Sequence, residues 1–201
     1  MPTAQVSYTV SIGGVTVYGN AARIAEGQIS QEVALAAGKT GTLSTRTDDD
    51  TGVATLGAGH GLVQSDKVDV YWPGGIRHGM TVGVVSGDDV PIDLGAGDVL
   101  PAQSTALVVC KQTEINVDFD GDDVKILAIH ATRRGHVDFQ DSGSASLKEI
   151  DLAEAEPYVW CSGQGVAAPI TGNPVDKAKV SNGDSANAST FKLVVLYDST
   201  P

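Results

Sequence analysis

Residues 51–85 read TGVATLGAGHGLVQSDKVDVYWPGGIRHGMTVGVV. An apolar run (Val53, Ala54, Leu56) leads into Gly57-Ala58-Gly59-His60-Gly61. A second run (Val68, Val70, Trp72) reaches the turn Pro73-Gly74-Gly75, and a third (Met80, Val82, Val84) follows it. Short apolar runs separated by glycine turns are the pattern of a small antiparallel barrel, because strands average about 5–6 residues.

The same grammar extends on both sides. Upstream, Gly38-Lys39-Thr40-Gly41 reads as a turn, residues 42–47 as a threonine-rich strand and Thr47-Asp48-Asp49-Asp50-Thr51-Gly52 as an exposed loop. Downstream, Ser86-Gly87-Asp88-Asp89 is a tight turn, and Thr105 to Cys110 (TALVVC) is a strongly apolar strand. Five or six strands between about 40 and 110 make a barrel of SH3-like or OB-like size.

Outside that segment the strands lengthen. Val6, Tyr8, Val10 and Ile12 alternate before Gly13-Gly14, with Val15 and Val17 beyond, which is a hairpin signal. In residues 20–37, Ala21 to Ala25 suit a helical turn, but Gly27 and the neighbouring β pattern favour a strand through Ile29, Val33 and Leu35. EINVDF (114–119) and VKILAI (124–129) flank Asp120-Gly121-Asp122-Asp123, and 131–146 reads as loop with one short strand at 137–139. SLKEIDLAEAE (146–156) carries a serine cap with Glu149 three residues on and predicts a short helix ended by Pro157. Tyr158-Val159-Trp160-Cys161, Lys177–Val180 and TFKLVVLY (190–197) are strands, the last apolar enough to be central in its sheet. The expected fold is all-β: a jelly-roll-like β-sandwich of residues 1–38 plus 111–201, with 39–110 inserted as the small barrel.

Bulk composition narrows function. The chain has 201 residues, enough for a sizeable core, with 24 glycines and only 19% charged residues. A net charge of −12 opposes binding to nucleic acid phosphates and to anionic membrane surfaces. MPTAQVSYTV lacks a basic and apolar leader, so the expectation is synthesis in a host cytoplasm without a signal peptide. Cys110 and Cys161 sit in apolar runs, the setting of buried thiols, and nothing points to an oxidising compartment that would favour pairing them.

Candidate chemistry is sparse. Asp118, Asp120, Asp122 and Asp123 are dense enough to interest Ca²⁺, but the EF-hand spacing and its twelfth-position glutamate are missing, so an acidic hairpin turn is the default. His60, His78, His130 and His136 form no HxH or HExxH pair, and the cysteines lack CxxC spacing, so no metal or cofactor is expected. His60, between two glycines, reads as a turn former that bonds backbone. Gly143-Ser144 does not fit a nucleophile elbow, Gly57-Ala58-Gly59 is not a dinucleotide fingerprint, and Arg133-Arg134 suits ion pairing or a subunit contact. Asn187-Ala188-Ser189 matches a glycosylation acceptor that stays idle without secretion. Tyr71, Trp72 and Trp160 are the interface or ligand-stacking candidates, with burial as the plainer role.

GHGLVQSDKVDVYW (59–72) resembles a turn-strand module of tailed-bacteriophage virion proteins, a glycine-flanked histidine followed by a D-x-V strand. The segment TGNPVDKAKVSNGDSANASTFKLVVLYDSTP (171–201) is similar to C-terminal segments of phage structural proteins. WPGGIRHG (72–79) departs from that pattern. The resemblance implies a non-enzymatic virion protein, a capsid decoration or minor head protein, or a tail tube or tail-associated protein. Its expected partners are other copies of itself and other virion proteins. The alternative from another class is a carbohydrate-binding module using Tyr71, Trp72 or Trp160. An enzyme would need an acid–base pair among Asp118, Asp120 and His130.

Overall fold

The computed structural model describes residues 6–12, 15–21, 27–95, 99–162, 165–172 and 174–197. The chain is all-β and forms two compact units. One comprises Met1–Ala34, Glu114–Val180 and Thr190–Pro201; the other comprises Leu35–Thr113 with Ser181–Ser189.

The second unit is a closed barrel. Its strands are β4 (Lys39–Arg46), β5 (Thr51–Leu56), β6 (Lys67–Trp72), β7 (Gly75–Val82), β8 (Asp89–Asp93) and β9 (Ala106–Lys111). They hydrogen-bond in the order β4-β5-β8-β7-β6-β9, and β9 closes back on β4. Alternation puts Leu43, Ala54, Leu56, Val68, Val70, Met80, Val82, Val90, Ile92, Leu107 and Val109 into one fully buried core. Closure leaves this sheet without a free edge.

Three details of the barrel differ from the reading by pattern, the first being that the 47–52 loop ends at Asp50, because Thr51 and Gly52 already pair with Asp93 and Ile92 in β5. Gly38–Gly41 is not a turn: β4 begins at Lys39. Its glycines serve close strand approach instead, since a Cβ on Gly41 would stand 2.3 Å from the Thr55 carbonyl oxygen, and one on Gly38 2.6 Å from Cys110 Sγ. Likewise the third apolar run ends early. β7 starts straight after Pro73-Gly74, with Gly74 at φ +91°, and stops at Val82, leaving Val84 69% exposed.

The first unit holds the hairpin β1 (Val6–Ile12) and β2 (Val15–Ala21), whose register pairs Ile12 with Val15. The expected Gly13-Gly14 turn and the helical alternative at 22–25 lie outside the described residues. Two four-stranded sheets form the β-sandwich. One has the order β14 (Tyr158–Cys161), β11 (Val124–Ala131), β16 (Ser189–Tyr197), β3 (Gly27–Leu35). The other has the order β10 (Thr113–Asp120), β15 (Pro174–Asn182), β12 (Gly135–Gln140), β13 (Ser146–Leu152). β16 is central, as its composition requires: Leu193 and Val195 pair with Ile129 and Leu127, all fully buried. The opposite face of β11 is apolar too, with Ile126 and Ala128 packing on Cys161, Val159, Val194 and Leu196. A strand apolar on both faces reads as a continuous run, which is why VKILAI and TFKLVVLY show little alternation.

The helix expected at 146–156 is the strand β13. SLKEIDL alternates as well as it spaces helically, and pairing with β12 buries Ile150 and Leu152 opposite Val137 and Gly135. The polar stretch 131–146 likewise contains a full strand, β12, buried along its whole length. There Asp138 accepts hydrogen bonds from Gln140 Nε2 and from Ser146 Oγ, the latter at 2.6 Å, so the buried carboxylate is partnered without solvent. Residues 181–189, read as part of the sandwich, cluster with the barrel. Asn182 Nδ2 donates to the Ala36 carbonyl (3.1 Å) and Gly38 N donates to that of Asp184 (2.8 Å).

Candidate functional site

The barrel's mouth, beside the start of β4 and the end of β9, holds a cleft of about 280 Å³. Antiparallel register sets Lys39 opposite Val109, so both side chains share a face, and Lys111, two residues on, shares it as well. Val109 ends the buried core at this rim, and Lys39, Lys111 and Thr113 continue the same face into the opening. Leu62, 5% exposed, supplies the apolar floor with Val109, and Ala36-Ala37 forms a side wall.

His60 and Gly61 close the remaining side. The glycines of GHG lie at φ +75° (Gly59) and +72° (Gly61), a backbone region in which a side chain is strained, so the sequence admits this tight loop. His60 Nδ1 accepts from Leu62 N (3.1 Å), and its Nε2 reaches the Gly87 carbonyl (3.1 Å). One acceptor and one donor are the complement of a neutral imidazole protonated at Nε2. His60 is therefore a clasp between two loops, in line with its reading as a turn former.

Each wall of the cleft has its own fastening. Asn182 and Asp184 hold 36–38, His60 holds 60–62 to Gly87, and Asp66 Oδ2 accepts from both Val63 N (2.9 Å) and Lys111 Nζ (2.8 Å). Such fastening makes a pocket preformed, and barrel mouths are among the usual places for small-ligand sites.

A second polar centre lies on the outer side of β6. A bulge sets Asp69 opposite His78-Gly79, with Gly79 at φ +68°. Asp69 is completely buried; Oδ1 accepts from Gly79 N (2.9 Å) and Gln112 Nε2 (2.7 Å), and Oδ2 accepts from Ser181 Oγ. His78 Nδ1 stands 3.4 Å from Oδ1, and the His78 ring meets Tyr71 edge-on at 6.2 Å. Serine, histidine and aspartate meet here, but the serine hydroxyl is spent on the carboxylate rather than on the imidazole, so nucleophile activation of the hydrolase kind is not built. The centre tethers 181–189 to the barrel wall. Its sequence signal was a lone charge inside the apolar run KVDVYW.

Each carboxylate, arginine and aromatic side chain singled out by pattern has its own structural setting. Asp118 is exposed on β10, Asp120 caps the 3-10 turn Gly121–Asp123 by accepting from Asp122 N (3.0 Å), and Asp122 accepts from Gly172 N (2.9 Å). Two of the three carboxylates thus fasten loops. His130 is buried on β11 and His136 on β12. Arg133 pairs with Glu154, and Ser144, at φ +69°, accepts from Lys177 Nζ (2.7 Å) in a strand-to-strand turn. Tyr71 (5% exposed) and Trp160 (7%) have too little surface to stack on a sugar, and the Trp160 indole N–H donates to the Val166 carbonyl (3.3 Å). Trp72 is half-buried, with the Arg77 guanidinium 5.8 Å over its ring and Gly75 packed against it. These three residues do not make the platform that a carbohydrate site requires.

Cys110 and Cys161 are both buried and form no disulfide, and burial pushes the Cys161 thiol up. Thr51 dominates the loop at Asp48: its hydroxyl (2.8 Å) and N–H (2.6 Å) donate to the carboxylate and hold it below the ordinary aspartate range. The cleft went unnoticed in the sequence because its residues come from three separated segments, each ordinary alone. Comparison with known proteins returns no matching family model and no matching curated sequence.

Proposed function

We propose that the protein is a bacteriophage virion component, a capsid decoration or minor head protein, that works by self-assembly and docking on the particle. The observation that carries this reading is the pair of open sheets in the sandwich unit, and above all the edge strand β3. β3 runs nine residues, GQISQEVAL, without a proline or a lysine, and its one charge, Glu32, is paired with Lys192 (3.1 Å). Monomers blunt their edges with short strands, lysines and prolines; a long edge lacking them is a template for adding another strand. Further support comes from the resemblance of 59–72 and 171–201 to virion proteins. A closed barrel with no edge of its own complements this arrangement, as a part that stays inert while the sandwich assembles.

The charge of −12 opposes association at low salt, so assembly strengthens as salt screens it. Mass photometry and negative-stain imaging of the purified chain, with co-sedimentation on tailed-phage particles, test the reading. Discrete oligomers or particle binding support it. A clean monomer at high concentration with no affinity for particles overturns it.

A further inference from the structure

We propose that the cleft at the barrel mouth binds a small organic carboxylate, its head between Lys39 and Lys111 and its short apolar body against Ala36 and Ala37. The inference stands on the cleft alone and does not depend on assembly. Three observations select the ligand class.

The first is charge. In a strongly acidic chain two lysines extend one strand face into a single opening, and among the described residues Lys39 has no carboxylate partner. Lys111 shares its charge with Asp66, so the two ammonium groups and one carboxylate leave about one net positive charge at the rim. That balance suits a monoanion; a polyphosphate would remain undercompensated.

The second is the chemistry of the walls. Both ring nitrogens of His60 are committed to backbone groups, so the imidazole offers the cleft a flat ring surface and no free donor. Ala36 and Ala37 add aliphatic surface beside the lysines, backed by the nearly closed Leu62 and Val109. The opening is therefore amphipathic, cationic at the rim and apolar within.

The third is size. About 280 Å³ lies at the lower end of small-molecule pockets, enough for one ring or a short chain behind the carboxylate. Hydrogen bonds already fasten each wall, so binding orders little of the protein.

The test is a two-dimensional amide NMR titration of the full chain with benzoate, beside benzamide as its neutral isostere and inorganic phosphate as a head without a body. Benzoate is expected to give saturable shifts at the Leu62, Val109 and Lys111 amides. Benzamide is expected to bind at least about tenfold more weakly, as loss of a charge-assisted hydrogen bond implies. Lys39→Gln and Lys39→Met, at an exposed position, are expected to keep the spectrum dispersed and weaken benzoate by a similar factor. Equal response to benzamide, phosphate matching benzoate, benzoate affinity unchanged in both variants, or no saturable shift at the cleft up to the solubility of benzoate would each overturn the proposal.

Discussion

Asp69→Ala removes the acceptor at the centre of a buried network. In the native barrel the carboxylate takes hydrogen bonds from Ser181, 1% exposed, and Gln112, 8% exposed, as well as from the half-open Gly79 amide. Alanine leaves two buried donors without it, and each orphaned donor costs about 1–3 kcal/mol, so the barrel should lose about 2–6 kcal/mol. Asp69→Asn keeps one acceptor oxygen in place, and the serine hydroxyl can turn to accept from the new amide, so its cost should stay near 1–2 kcal/mol. Urea unfolding followed by Trp72 fluorescence reads the barrel unit, in a Trp160→Phe background that silences the other indole. With a slope of about 1–3 kcal/mol/M, the alanine variant should lower the midpoint by more than about 1 M. A Ser181→Ala, Asp69→Ala pair should cost less than the sum of its singles, because one orphan has been removed with its partner. Should Asp69→Ala cost under about 1 kcal/mol, or no more than Asp69→Asn, the network is not what holds this wall and the reasoning fails.

Gly41→Ala drives a Cβ to 2.3 Å from the Thr55 carbonyl and 2.5 Å from Leu56 Cδ2, and should cost about 1–3 kcal/mol or more by the same urea assay. Gly57→Ala, where a Cβ meets nothing within 4 Å, should be close to neutral and serves as its control. Thr51→Val deletes the hydroxyl that leads in depressing the Asp48 carboxyl, so an NMR titration should find that carboxyl moved up. A depressed folded value means that the loop's stabilisation is present above the unfolded aspartate value and lost as pH falls through the folded one; in Thr51→Val that loss should be smaller and complete at higher pH. Both cysteines should react slowly with a thiol reagent in the native protein and fast after unfolding, and reducing agent should leave the denatured mass unchanged.

The barrel was legible because its information is local: strand-length apolar runs, period two, and glycine turns such as Pro73-Gly74. Glycine itself misled where it allows close contact and not reversal, as at Gly38 and Gly41; both uses look alike in one dimension. Residues 135–140 were illegible for a different reason. A strand carrying His136, Asp138 and Gln140 looks exposed until its partners are known, and Ser146 is one that only folding supplies. SLKEIDL satisfies a helix cap and a strand alternation together, and the neighbour β12 decides between them. The network at Asp69 draws on residues 43 and 112 positions away, and the cleft joins segments near 36, 60 and 110. Sites assembled from such separations leave no motif, which is why pattern searching picked out Asp118, exposed on its strand, and Asp120 and Asp122, whose carboxylates fasten loops.

Oligomeric mass as a function of concentration and salt, for the native chain beside a Ser30→Pro, Glu32→Lys variant of the β3 edge, tests assembly through the sandwich most directly. The native chain should pass from monomer to discrete multiples as concentration and salt rise, and the blunted edge should remain monomeric with its fold intact. A native chain that stays monomeric throughout and ignores phage particles, or an edge variant that assembles as well as the native chain, would contradict the account.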